Sequence, residues 1–158
     1  MKTWSGRLLR VSQPSFRQSL PDSVLGVGVD IIRTERFREI ARRAPGGSAA
    51  RLFTPDELSD RRINEREYLA SRFAAKEAVM KSLGCGMGDI SFTDIEVCRM
   101  DGGAPAVRLS GGASRRANEI GALRVLVSIS HDHDYVCAFA VALGRAGGGG
   151  DDDEACDS

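Results

Sequence analysis

Glu77 stands among cations in the stretch Arg72-Phe73-Ala74-Ala75-Lys76-Glu77-Ala78-Val79-Met80-Lys81. Arginine forks and lysine ammonium groups suit phosphate oxygens. A carboxylate in their midst hinders such binding unless a metal ion intervenes. The stretch reads as a helix. At about 100° per residue, Leu69, Phe73, Met80 and Leu83 share one face, with Lys76 in its middle. A lysine is rarely buried without a partner, so something must reward it there. Glu77 lies roughly 100° further round and one turn before Lys81, in the favourable acid-then-base order. Taken alone, this is also the pattern of a half-buried helix with a surface salt bridge, worth roughly a few tenths of a kcal/mol.

Two further groups could complete a site. Val24 to Ile32 is β-branched and apolar with two glycines, as a buried strand would be where another backbone approaches closely. Asp30 near its end must be hydrogen-bonded, paired or bound to a metal, because an unpaired buried carboxylate is costly. A functional role and a strand-end cap both fit. His131 follows Val127-Ser128-Ile129-Ser130, at an expected strand end beside hydroxyls, where it suits ligand contact. His131 and His133 with Asp132 and Asp134 make a weak transition-metal signal when no third histidine exists; a polar turn is the plainer reading. Gly84-Cys85-Gly86-Met87-Gly88 could turn backbone N–H groups toward an anion, but it carries neither the Walker lysine and serine nor the strand–GxGxxG–helix context.

The elements that must position these groups follow from local signals. Arg33 to Ala44 reads as a helix with Phe37, Ile40 and Ala41 inward and five arginines outward, a surface suited to an acidic protein partner. Thr54-Pro55-Asp56-Glu57 has the form of an N-cap, a first-turn proline and first-turn acids, opening a short helix to about Arg62. The main helix runs from Asn64 or Glu65 to about Leu83, where glycines stop it. Phe92 to Met100 and Ala106 to Leu109 form a hairpin around Asp101-Gly102-Gly103. Gly111 to Ile120 is a helix, and Leu123 to Ser130 and Tyr135 to Leu143 are two further strands joined by the His-Asp-His-Asp turn.

The 158 residues suit one domain with a full core. Residues 1–23 form an Arg- and Ser-containing extension, 24–144 the domain, and 145–158 a Gly-rich acidic tail expected to be disordered. Twenty-two basic residues balance 22 acidic ones, so no overall field argues for nucleic acid or an anionic membrane. No apolar run approaches the roughly 20 residues of a membrane span. The four cysteines show no zinc spacing and no secretory signal accompanies them. They read as reduced thiols of a cytoplasmic protein. The front extension also resembles a transit peptide in composition, which leaves organellar import open.

Taken in order, Gly26-Val27-Gly28-Val29-Asp30-Ile31, Arg72 to Ala78 with Lys81, Phe92-Thr93-Asp94-Ile95-Glu96-Val97, Gly103-Ala104-Pro105 and Val127-Ser128-Ile129-Ser130-His131 resemble the holo-acyl-carrier-protein synthase group of 4'-phosphopantetheinyl transferases. Ala104 departs from the lysine that the family commonly places before the proline. The resemblance implies an α+β fold, an antiparallel sheet with a long central helix, assembled as a homotrimer with sites between neighbouring subunits. It implies transfer of the 4'-phosphopantetheine arm of coenzyme A to a serine of apo acyl carrier protein, releasing 3',5'-ADP, in fatty acid biosynthesis. Asp30 and Glu77 match the carboxylates that hold Mg²⁺, and Asp30 is also the expected base. Lys81 is implied near the reacting pyrophosphate, and Arg72, Lys76, Ser130 and His131 around the nucleotide. Arg36 matches the arginine that meets the acidic helix of the carrier.

Overall fold

The computed structural model describes residues 22–43, 49–60, 65–86 and 88–145. The expected front extension and acidic tail lie outside the described residues, apart from Asp22, Ser23 and Arg145. Strand β1 (Asp22–Arg33) leads directly into α1 (Thr34–Arg43); α2 (Pro55–Ser59) and α3 (Glu65–Ser82) follow. A hairpin of β2 (Ile95–Arg99) and β3 (Pro105–Leu109), then α4 (Gly111–Glu119), precede the long hairpin of β4 (Ala122–Asp132) and β5 (Tyr135–Arg145). The larger sheet has the order β1-β5-β4, and both pairings are antiparallel. The architecture is α+β, as expected.

Local chemistry explains most of these boundaries. Thr54 and Glu57 form a reciprocal capping box at α2. Gly84, at φ +64°, takes the left-handed position that ends α3, and Arg116 Nε donates to the carbonyl of Leu83 at 2.9 Å. The strand expected from Phe92 begins instead at Ile95. Ser91 and Asp94 cap each other's backbone and wind Phe92–Asp94 into a short 3₁₀ turn. The strands of the last hairpin run further than expected, through Asp132, so the turn is His133-Asp134, with His133 at φ +47°.

Helix α3 lies on one face of the sheet, against β1 and β5. On that face Gly28, Ile32, Val136, Ala138, Ala140 and Ala142 are buried. On the far side of α3, Phe73 stacks on Phe92 with centroids 5.1 Å apart and meets Phe37 of α1 at 5.6 Å. The opposite face of the sheet is open. Val27, Val29 and Ile31 of β1, Phe139 of β5 and Leu126 of β4 are all exposed, Ile31 at 66%. Strand β1, expected to be buried, is therefore covered on one side only within a single chain. Among the described residues no helix is long and apolar enough to cross a membrane.

Candidate functional site

Strand β1 and helix α3 touch backbone to backbone. A Cβ on Gly26 would stand 2.1 Å from the carbonyl oxygen of Ser82, and one on Gly28 would stand 2.0 Å from that of Ala78. Only glycine permits so close an approach. Asp30 follows two residues along the same pleat and so meets the last turns of α3. Lys81 Nζ donates to Asp30 Oδ1 at 2.9 Å and to the carbonyl of Val29 at 2.8 Å. That leaves one of its three donors, on a side chain 48% exposed.

Glu77 stands one turn before Lys81. Burial first, and then the charge of Asp30, raises its carboxyl above the usual carboxylate range, while Lys81 acts in the opposite sense. Two carboxylates close enough to repel, with an ammonium beside them, therefore occupy one end of the β1–α3 contact. Among the described residues no group of three or more His, Cys, Asp or Glu side chains is arranged to hold a metal. An oxygen-donor pair of this kind still fits a hard cation that keeps waters and shares substrate phosphates, as Mg²⁺ does. A cation there would relieve the repulsion that raises Glu77.

The other expected site residues lie elsewhere. Lys76 is a correction: instead of lining a ligand pocket, it is fully buried. Its ammonium pairs with Glu57 Oε2 at 2.6 Å, donates to the carbonyls of Leu52 at 2.8 Å and Phe92 at 2.9 Å, and lies 5.3 Å from the centre of the Phe53 ring. All three donors are spent inside the core. Burial lowers its pKa from the ordinary lysine value, with Glu57 opposing. Glu57 in turn accepts from the backbone N–H of Thr54 and of Val97, each at 2.9 Å. Arg72 is buried with its guanidinium 4.4 Å from the centre of the Tyr68 ring, and its Nε has no hydrogen-bond partner.

Ser130 and His131 face opposite sides of the sheet. Ser130 pairs with Cys137 on the open face, whereas His131 pairs with Val136, whose side chain is buried under α3. His131 Nδ1 meets Glu67 Oε1 at 2.5 Å. Glu67 precedes Glu77 by ten residues, about 15 Å along the helix at 1.5 Å per residue. A single chain thus unites Asp30, Glu77 and Lys81 but holds His131 well away from them. The two histidines also diverge, His133 Nδ1 being paired with Asp132. Arg36 is exposed on α1 and, with Arg33, Glu35, Glu39 and Ile40, lines a shallow groove of about 630 Å³. Glu57 and Glu67 were not singled out by the sequence. Its place among the first-turn acids of α2 accounted for Glu57, and nothing in its neighbourhood marked Glu67.

An acid pair with an adjoining ammonium is the equipment of an enzyme that handles phosphate esters. The family model of the 4'-phosphopantetheinyl transferase superfamily matches residues 26–140, and the chain belongs to that superfamily. It is 43% identical over 123 residues to a holo-[acyl-carrier-protein] synthase of Desulforudis audaxviator, covering 77% of this chain and 94% of the relative. The crystal structure of the holo-[acyl-carrier-protein] synthase of Neisseria meningitidis superposes with a TM-score of 0.69 at 35% identity, covering 76% of this chain and 98% of that one. A complex of a similar synthase with coenzyme A, from Chronobacterium ammoniagenes, gives 0.65 at 31% identity and covers 76% and 96% of the two chains.

Proposed function

We propose that this chain transfers the 4'-phosphopantetheine arm of coenzyme A to a serine hydroxyl of apo acyl carrier protein, yielding the holo carrier and 3',5'-ADP for fatty acid biosynthesis. The observation that carries the reading is the Asp30–Lys81 pair beside the raised Glu77 carboxyl, in a chain of this superfamily. The serine oxygen bonds to the phosphorus that carries the pantetheine arm. The bridging P–O bond breaks, and 3',5'-ADP leaves with the electron pair.

Asp30 and Glu77 would hold Mg²⁺, which when bound would neutralise charge on the pyrophosphate oxygens. Lys81, half exposed and with a donor to spare, is aimed at the same charge from the protein side. Asp30 takes the serine proton directly or through water, a task that competes with holding the metal because coordination lowers basicity. The unpartnered Nε of buried Arg72 supports a phosphate contact there. Arg36, exposed on α1, suits the acidic surface of a carrier. The unpaired cysteines Cys85, Cys98 and Cys137 suit the cytoplasm.

The open sheet face supports a trimer. Val27, Val29, Ile31, Leu126 and Phe139 form an apolar surface of the kind that marks association. Light scattering is expected to give the trimer mass, and a monomer with full activity would contradict that assembly. The reaction itself is tested by incubating the protein with coenzyme A, Mg²⁺ and apo carrier, then weighing the carrier by intact mass spectrometry. Gain of one phosphopantetheine group supports transfer. Tight coenzyme A binding with no gain would reduce the chain to a binding module.

A further inference from the structure

We propose that Glu67 is a positioning residue for His131, holding the imidazole through Nδ1–H in one orientation so that Nε2 faces a phosphate of bound coenzyme A. The inference rests on the reading of His131 as a nucleotide-binding residue. The starting observation is the 2.5 Å contact between His131 Nδ1 and Glu67 Oε1. A carboxylate oxygen has no proton to give, so a contact this close requires the proton on Nδ1. That leaves Nε2 as the one ring nitrogen for a ligand. When the ring carries a second proton, Nε2–H donates to a phosphate oxygen, and Glu67 is the counter-charge.

The pair is placed for such a role rather than for stability. His131 is 60% exposed and Glu67 30%, and an exposed ion pair contributes little to stability. The strand contributes direction. The pleat places His131 on the α3 side, opposite the side that carries Ser130, where Glu67 on the first turn of α3 can reach it. Contacts of this type, in which a carboxylate orients an imidazole whose other nitrogen faces a ligand, are how proteins select a histidine tautomer. Little stability rides on this contact, so a folded Glu67→Leu protein isolates the effect of releasing the ring.

The test combines spectroscopy with substrate comparison, using the full chain labelled with ¹⁵N. Long-range ¹H–¹⁵N correlations of His131 should show the Nδ1 proton in the wild type and in Glu67→Gln, whose amide oxygen still accepts. In Glu67→Leu they should show a ring averaging between tautomers. The KM for coenzyme A should rise about tenfold in Glu67→Leu with kcat little changed, and less in Glu67→Gln. With dephospho-coenzyme A, which lacks the 3'-phosphate, the wild type and Glu67→Leu should give the same KM. An Nδ1 without a proton in the wild type overturns the proposal. So does a Glu67→Leu protein whose KM for coenzyme A is unchanged while His131→Ala raises it. If His131→Ala leaves that KM unchanged as well, the underlying assignment of His131 to the nucleotide falls, and the proposal with it.

Discussion

Helix α3 carries two lysines five positions apart that make nearly the same contacts in opposite environments. Lys76 pairs with one carboxylate and donates to two carbonyls; Lys81 pairs with one carboxylate and donates to one carbonyl. The first is 0% exposed and its partner Glu57 is 1% exposed, so every donor is consumed among α2, the residues leading into it and those leading into β2. The second is half in water with a donor left over, next to a second carboxylate whose pKa is raised. A charge on an otherwise apolar helix is therefore not in itself the mark of a site. What distinguishes the site is access to a ligand and an electrostatic conflict that a ligand can relieve.

The contrast is open to experiment. The largest effect on folding should come from Lys76→Met, which leaves Glu57 buried without its counter-charge. Breaking one member of a buried pair costs about 3–5 kcal/mol, to be read from the urea midpoint. The double change Glu57→Leu with Lys76→Met should recover only part of that loss: it removes the bare buried charge, but the N–H groups of Thr54 and Val97 and the carbonyls of Leu52 and Phe92 lose their partners. Lys81→Met should change stability by no more than about 1 kcal/mol. Equal losses for the two lysines would erase the distinction.

A smaller effect should appear in the pH dependence of metal binding, followed by calorimetry. A cation binds the carboxylate and not the acid, so protonation of Glu77 competes with it. Burial and Asp30 raise the Glu77 pKa, and the competition begins at a higher pH than for an ordinary carboxyl. Mg²⁺ affinity should fall as pH drops through that raised value. The sign for the metal-free protein is reversed. A raised folded-state pKa favours the protonated folded form, so this contribution to stability is lost as pH rises through that raised value. In Glu77→Gln both trends should vanish.

Much of this arrangement was legible in local sequence. The glycines of β1 signalled a close backbone approach and Asp30 needed a partner; the structure supplies Ser82, Ala78 and Lys81 for those roles. The Thr54 N-cap and the end of α3 at Gly84 were also legible, because caps are set by a few adjacent residues. What was not legible depends on tertiary pairing. Lys76 demanded a partner, but Glu57 lies 19 residues earlier and already had a local use at the cap. Glu67 and His131 are 64 residues apart and meet only because β4 extends to Asp132. The strand pattern of β1 reads as buried on both faces, and one chain covers only one of them.

The central claim is that the Lys81 side of α3 performs the transfer while the Lys76 side holds the scaffold. The most direct measurement is the time course of carrier-protein mass gain, with coenzyme A and Mg²⁺ at saturation, for three folded proteins: the wild type, Lys81→Met and the Glu57→Leu/Lys76→Met double variant. The double variant should modify the carrier at close to the wild-type rate, and Lys81→Met should be slower by about 10²–10³-fold, the scale of losing one group that stabilises developing charge. A Lys81→Met protein as fast as the wild type, or a well-folded double variant as slow as Lys81→Met is expected to be, would contradict the account.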